Sequence, residues 1–300
     1  MTKKILIICG PTASGKTALS IECAKNLNSE VISADSMNIY KNLNVGTAKP
    51  TLDEMQNIPH HLIDVVNEKD NFTVNDYRDI ARPIIDRIID KNIVPVVCGG
   101  TGFYIKSLIY NLSYGNGKED PLVRQRYKDL AEKNGNLYVY EILKKVDPRS
   151  AEKIHFNDVK RVIRALEIYE NGTLKSDIND DMTPVYNYDA FMIDMDRSLL
   201  YDRINKRVDI MINNGLIDEV NSLIVKGVDS SCQCMQGIGY KEIYSYLTGE
   251  ITKEEAIELI KLNTRHYAKR QITFFKRLNG LKTVKFDDVK IMSQRILEQI

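Results

Sequence analysis

The chain has 300 residues, enough for one large domain or two smaller ones with a proper core. Its 43% apolar and 28% charged content is that of an ordinary folded protein. A formal net charge of +1 provides no global field toward nucleic acid or an acidic membrane, so any RNA contact must come from a local patch.

The apolar run Ile5 to Cys9 is too short for a signal peptide, and it leads into Gly10-Pro11 and Lys16 rather than a cleavage site. It reads as a buried strand ending at a glycine turn. Thr17 to Leu27 has helical apolar spacing, and Val31 to Ala34 is a second strand closed by Asp35-Ser36. Tyr77 to Asp90 is an amphipathic helix with Arg78, Arg82, Asp86 and Arg87 on its polar side. Ile93 to Cys98 is another buried strand, ending at Gly99-Gly100. Strands alternating with helices imply a parallel sheet under helical cover.

Near Tyr114 the texture changes. Tyr114 to Pro121 is a loop by composition, Val123 to Glu170 is helical and highly charged, and Asn171 to Pro184 is polar and expected to be mobile. Tyr188 to Met195 returns to strand character before a long helical stretch from Ser198. The expected fold is therefore α/β, a P-loop core of parallel sheet flanked by helices (1–115 and 185–300, with C-terminal helices) plus an inserted small helical domain (116–184). No stretch approaches the roughly 18 apolar residues of a membrane span. The five cysteines, Cys9, Cys23, Cys98, Cys232 and Cys234, form no disulfide or zinc framework and read as free thiols in a reducing cytosol. A cytoplasmic monomer with no membrane partner is expected.

Gly10-Pro11-Thr12-Ala13-Ser14-Gly15-Lys16-Thr17 fits G-x-x-x-x-G-K-[ST] in full, between an expected strand and an expected helix. The glycines let backbone N–H groups curl round phosphate oxygens, and the helix N-terminus adds its dipole. Lys16 brings a point charge to the terminal phosphate, and the Thr17 hydroxyl can ligate Mg²⁺. The motif specifies a bound di- or triphosphate, not ATP hydrolysis. A P-loop NTPase normally ends a buried strand with a Mg²⁺-holding aspartate. Here the most apolar strand ends in Cys98-Gly99-Gly100-Thr101, whereas Val31 to Ala34 ends in Asp35. Strand ends face the ligand crevice in open α/β sheets, so Asp35 and Thr101 should both point toward the phosphate site. An aspartate there can be a metal ligand or a general base, and as turn or cap residues both would need no further role.

The segments Gly10–Thr17, Asp35–Tyr40, Gly46–Pro50, His60–Asp64 and Gly99–Tyr104 together resemble the bacterial tRNA dimethylallyltransferases. Asp147-Pro148, Ile154–Asp158, Arg161, Arg164–Glu167, Gly237–Glu242, Thr264-Arg265 and Lys269–Gln271 extend the resemblance over nearly the whole chain. It implies that the P-loop binds dimethylallyl diphosphate with Mg²⁺ near Thr17. It also implies that Asp35 is the general base toward an adenine amine beside the anticodon, and that Thr101 contacts the substrate adenosine. Asp35, Ser36, Met37, Asn38, Arg124, Val159, Lys160, Arg161, Val162 and Ile163 match positions that touch the tRNA anticodon stem-loop, in tRNAs reading codons that begin with U. Arg203 and Arg207, at i, i+4 spacing on one helical face, both fit the family arginine that holds the diphosphate. Solvated helix charges are the alternative for both. The family often has Trp after Gln-x-Thr, where this chain has Phe274.

Lys261, Arg265, Lys269, Arg270, Lys276, Arg277, Lys282 and Lys285 form a basic stretch without an acid until Asp287, able to bind a phosphate backbone. Tyr267, Phe274 and Phe275 within it read as core before they read as base-stacking residues. With Lys144, Lys145, Arg149, Lys160, Arg161 and Arg164 of the insertion, two basic elements would flank the P-loop face. A flipped adenine would then enter a channel opposite the diphosphate. The rival readings are an adenylate dimethylallyltransferase, a P-loop small-molecule kinase and a nucleotide-gated RNA-binding module.

Overall fold

The computed structural model describes residues 3–113 and 119–300. β1 (Lys4–Cys9) runs through the glycine turn into α1 (Lys16–Asn26), followed by β2 (Val31–Ser33), α2 (Leu52–Met55) and β3 (His60–His61). Next come α3 (Val74–Ile89), β4 (Val96–Gly99) and α4 (Gly102–Ile109). Then follow β5 (Tyr110–Asn111), α5 (Pro121–Asn134), α6 (Asn136–Val146), α7 (Pro148–Ala151), α8 (Val159–Glu170) and β6 (Asp181–Pro184). β7 (Asn187–Asp194), α9 (Arg197–Asn213), α10 (Leu216–Val225), α11 (Tyr240–Leu247), α12 (Lys253–Phe275), β8 (Leu281–Lys285) and α13 (Val289–Leu297) complete the chain. It divides into two compact units, Met1–Ile109 with Val185–Ile300, and Tyr110–Pro184.

In the first unit the strands stand in the order β3-β2-β4-β1-β7-β8, every described pairing parallel. The expected α/β fold with a central parallel sheet is what forms. Leu6 and Ile8 of β1 pack with Leu19, Cys23 and Ala24 of α1 and with Met292 and Ile296 of α13. Side chains alternate across a strand, so Ile5 and Ile7 point the other way, and they too are buried. Cover on both faces explains why these strands read as unbroken apolar runs. β4 begins at Val96 rather than Ile93 because Pro95 has no N–H for the ladder. α3 begins three residues before the expected Tyr77, where Thr73 and Asp76 form a capping box.

The second unit has its own core, built from Tyr127, Val139, Leu143, Val162, Ile163 and Leu166. The loop expected at Tyr114–Pro121 falls mostly outside the described residues. Its end is ordered by Asp120, which accepts from the N–H groups of Leu122 (2.9 Å) and Val123 (3.2 Å) to cap α5. Asn171–Pro184, expected to be mobile, is structured instead. The Ser176 N–H donates to the buried Asp147 carboxylate at 3.0 Å, and β6 pairs antiparallel with β5. Both anchors are long-range in sequence, which is why polar composition alone misreads the segment.

Glu167, fully buried, organises this unit. It accepts from the Asp120 N–H at 2.7 Å, forms an ion pair with Arg124 at 2.9 Å and pairs with Arg164. Burial alone would raise its pKa, but these donors outweigh it and hold the carboxyl below its ordinary value of 4.5. A depressed carboxyl stabilises the fold above the ordinary value, and that contribution is lost as pH falls through the depressed one. Glu167→Ala is expected to destabilise the unit by about 3 kcal/mol, because it removes the buried carboxylate that Arg124, Arg164 and the Asp120 N–H share. Urea unfolding of variant and parent at pH 7 and pH 3.5 checks this, and the gap between them should narrow at the lower pH.

Candidate active site

Parallel pairing brings the candidate residues to one edge. Ser33 of β2 lies beside Cys98 of β4, and Cys9 of β1 beside Gly99, so the P-loop, Asp35 and Thr101 all leave the sheet at neighbouring strand ends. Their approach depends on Gly99: a Cβ there would lie 2.0 Å from the Ala34 carbonyl oxygen. The Thr101 N–H donates to that same oxygen at 3.0 Å. Thr101 Oγ1 in turn accepts from the Ser36 N–H at 3.0 Å and donates to Ser36 Oγ at 3.2 Å. Asp35 Oδ1 accepts from the N–H groups of Met37 (2.9 Å) and Asn38 (3.3 Å), a turn that fixes the carboxylate while it lines the cavity. The turn role and the site-facing position coexist.

The P-loop is held from behind by the C-terminal helices. Ala13 adopts φ 61°, a strained value for a residue with a Cβ, and packs against Leu200 and Ile204 of α9 and Ala268 of α12. Arg203 Nε donates to the Ala13 carbonyl at 2.8 Å. Arg207, one turn on, directs Nη1 at Thr12 Oγ1 (3.4 Å) and lines the cavity. Both arginines therefore reach the loop, Arg203 along its backbone and Arg207 from inside the cavity. Lys16 Nζ donates to the Pro11 carbonyl at 2.6 Å, and Ser14 Oγ donates to the same oxygen at 2.9 Å. Burial lowers the Lys16 pKa, with Asp35 opposing and Arg207 adding to the effect. A bound phosphate would oppose this shift, because a nearby negative charge favours the charged ammonium.

Gln271 is the residue whose role is not legible in the sequence. Its Oε1 accepts from the Thr12 N–H at 2.9 Å, and its Nε2 donates to the Gly100 carbonyl at 2.9 Å. One buried amide thus ties the first loop of the chain to the turn before Thr101. Tyr267, one helical turn earlier, lines the cavity with Asp35 and hydrogen-bonds the side chain of Thr101, which stands behind the lining residues, and burial followed by the Asp35 charge pushes its phenol up to about 12. The i, i+4 spacing of Tyr267 and Gln271 was the available signal, since it gives α12 one inward polar face.

The cavity has a volume of about 470 Å³. Thr12, Lys16, Thr17, Asp35, Arg207 and Gln271 line it, and so do Ser36, Met37 and Asn38. Asn38 Oδ1, Tyr40 Oη and His60 Nε2 on its wall are buried without a hydrogen-bond partner. His60 Nδ1 lies 2.8 Å from the Ile58 carbonyl, which can only accept, so Nδ1 carries the proton and Nε2 offers a lone pair. Burial lowers the pKa of this ring and favours its neutral form. Buried polar atoms left open around one cavity call for a polar ligand.

Other sequence-derived candidates sit elsewhere. Val162 and Ile163 are 1% and 4% exposed, within the core of the helical unit. Their side chains are thereby removed from RNA contact, because the inward stripe of α8 passes through them. Val159 is partly buried, while Lys160 and Arg161 are exposed on the same helix. Arg124 is engaged by Glu167 and by Glu119 at 3.0 Å. In the basic stretch, groups from other elements intervene: Lys261 pairs with Asp209 (2.9 Å) and Lys282 with Asp189 (2.8 Å), while Arg265 donates to the neutral amide of Asn205 (2.7 Å). Lys269, Arg270, Lys276, Arg277 and Lys285 remain exposed. Phe275 is core, and Phe274 packs against Gly102 and Phe103.

Gln271→Leu keeps the volume but unpairs the Thr12 N–H and the Gly100 carbonyl. Affinity for inorganic diphosphate, measured by titration calorimetry, should fall about tenfold, the loss expected for two buried hydrogen bonds that position a loop. Unchanged affinity would mean that the bridge does not set the P-loop.

Comparisons with known proteins agree with this geometry. The sequence profile of the IPP transferase family matches residues 38–278. A tRNA dimethylallyltransferase of Acetivibrio thermocellus is 47% identical over 288 residues, 95% of this chain and 92% of that protein. The full-length tRNA isopentenylpyrophosphate transferase of Bacillus halodurans superposes with a TM-score of 0.75 at 40% identity, covering 99% of this chain and 96% of that one. A eukaryotic dimethylallyltransferase, captured acting on tRNA, superposes with a TM-score of 0.80 at 29% identity, over 99% of this chain and 78% of that one. By sequence profile, by identity along nearly its whole length and by fold, the chain belongs to the IPP transferase family, that of the tRNA dimethylallyltransferases.

Proposed function

We propose that the protein transfers the dimethylallyl group of dimethylallyl diphosphate to the exocyclic amine of the adenosine 3′-adjacent to the anticodon, in tRNAs reading codons that begin with U, and releases diphosphate. The observation that carries this reading is a carboxylate and a phosphate-binding loop on one cavity, which is lined by Asp35 and, from the loop, by Thr12, Lys16 and Thr17. An adenine amine is a weak nucleophile because its lone pair is delocalised into the ring. Its nitrogen attacks the allylic C1 as the C1–O bond to diphosphate breaks. Asp35 accepts the departing N–H proton through the oxygen not engaged by Met37 and Asn38. The leaving diphosphate takes the negative charge into the P-loop amides, Lys16 and Arg207. Asn38, Tyr40 and His60 supply open polar atoms suited to a base bearing hydrogen-bond donors.

Among the described residues no group of three or more His, Cys, Asp or Glu could hold a metal ion by itself. Mg²⁺ would instead be held through the Thr17 hydroxyl on the cavity wall, where it would help neutralise the leaving group. A kinase would want an acid at the end of β4, where Cys98, Gly99 and Gly100 stand. The exposed bases of the C-terminal segment, and Lys160 and Arg161 of the helical insertion, are the surfaces offered to an anticodon stem-loop. Among the described residues no helix is long and apolar enough to cross a membrane.

Asp35→Asn keeps an oxygen for the Met37 and Asn38 N–H groups but removes the base. Transfer to an unmodified stem-loop should drop about a thousandfold, within the range for loss of general base catalysis, while diphosphate affinity stays within about twofold. Loss of both together would instead make Asp35 a metal ligand or a structural residue.

A further inference from the structure

Glu219, on the first turn of α10, lies outside the cavity wall but is bound to it by a saturated set of hydrogen bonds. Its Oε2 accepts from the N–H groups of Asn44 (2.9 Å) and Val45 (2.8 Å). Its Oε1 accepts from the Gly46 N–H (3.0 Å) and the Tyr240 hydroxyl (2.6 Å). Three consecutive backbone N–H groups and one phenol thus converge on one carboxylate, occupying its lone pairs. Tyr240 is fully buried, and its ring lies where a Cβ on Gly46 would stand, 2.5 Å from the ring carbons. The loop is therefore locked both by its amides and by the absence of a side chain at Gly46.

The lock propagates toward the phosphate site. Asn44 and Val45, whose N–H groups Glu219 holds, offer their carbonyls to the N–H groups of Lys49 and Ala48, each at 3.0 Å. Ala48 sits at φ 46°, strained for a residue with a Cβ, and its carbonyl accepts from Arg207 Nη2 at 3.5 Å. Arg207 Nη1 reaches Thr12 of the P-loop. Lys49 Nζ closes the other side of the loop on Asp64 (2.6 Å) and the Tyr40 carbonyl (2.8 Å). Gly46, Thr47, Ala48 and Pro50 form part of the cavity wall.

We infer that Glu219, seated against Tyr240, is a positioning residue that sets the Asn44–Pro50 loop and, through the Ala48 carbonyl, aims Arg207 at the diphosphate. The inference rests on the reading of the P-loop as the diphosphate site. It does not require that the acceptor be tRNA. A carboxylate is needed because a glutamine would present an NH₂ group to N–H groups that require an acceptor, and an alanine would leave all four donors open.

The test uses the full chain and inorganic diphosphate with Mg²⁺, titrated calorimetrically into the parent, Glu219→Gln, Arg207→Ala and the double variant. Glu219→Gln should weaken binding about tenfold, as expected for mispaired charge-assisted hydrogen bonds. The double variant should bind no more weakly than Arg207→Ala alone, since a residue acting only through Arg207 has nothing left to act on. Unchanged affinity in a folded Glu219→Gln, or losses that multiply in the double variant, would overturn the inference. If Glu219→Gln does not fold, Tyr240→Phe, which removes one of the four donors, decides by the same criteria with an expected loss of about threefold. A parent that binds diphosphate but transfers no prenyl group would remove the proposed reaction and leave this inference to the binding data. A parent that binds no diphosphate would remove both.

Discussion

The side-chain amide of Gln271 joins two loops that the chain order keeps far apart, the P-loop after β1 and the glycine turn after β4. It does so with one accepted and one donated hydrogen bond, both at 2.9 Å, the first partly and the second fully buried. An amide is one of the few side chains able to satisfy a backbone N–H and a backbone carbonyl at once, and in a buried site neither can be left unpaired cheaply. Because Gln271 lies on α12, the helix must be docked before the P-loop is complete. The same docking places Ala268 under the strained Ala13, while Arg203 holds the Ala13 carbonyl. The phosphate site is thus a product of the whole α/β unit, not of its eight-residue motif.

Charge is arranged in the same local manner. A net charge of +1 conceals an uneven distribution, and several bases that read as a free patch are tied to acids on distant elements. What remains exposed on and just after the last turns of α12 is modest. A modest patch suits a substrate that must leave after each turnover, since every phosphate contact adds affinity and salt sensitivity. Inside the cavity, Lys16 and Arg207 are both held below their ordinary pKa chiefly by burial. An entering diphosphate would oppose that shift, so part of its binding energy is prepared by the fold.

Much of this was legible in the chain itself. The three strands, expected to end at Cys9, Ala34 and Cys98 and found to end at Cys9, Ser33 and Gly99, the P-loop between a strand and a helix, and the placing of Asp35 and Thr101 beyond strand ends all follow from periodicity and from the geometry of open parallel sheets. The reading failed where tertiary contacts decide. Asn171–Pro184 is polar, but buried Asp147 and β5 hold it. Val162 and Ile163 belong to a matching motif, yet helical periodicity turns them inward. The parts played by Gln271, Tyr267 and Glu219 depend on partners more than 150 residues away for Gln271 and Glu219, and across the sheet edge for Tyr267, and no local pattern encodes such pairings.

The central claim is that the cavity joining the P-loop to Asp35 moves a prenyl group onto an RNA adenine. The most direct measurement incubates the pure protein and Mg²⁺ with dimethylallyl diphosphate labelled in its prenyl group, offering an unmodified anticodon stem-loop in one tube and AMP in another. Label is expected on the stem-loop, at the adenosine 3′ to the anticodon, and none on AMP. Label on AMP alone, or on neither acceptor, would contradict it.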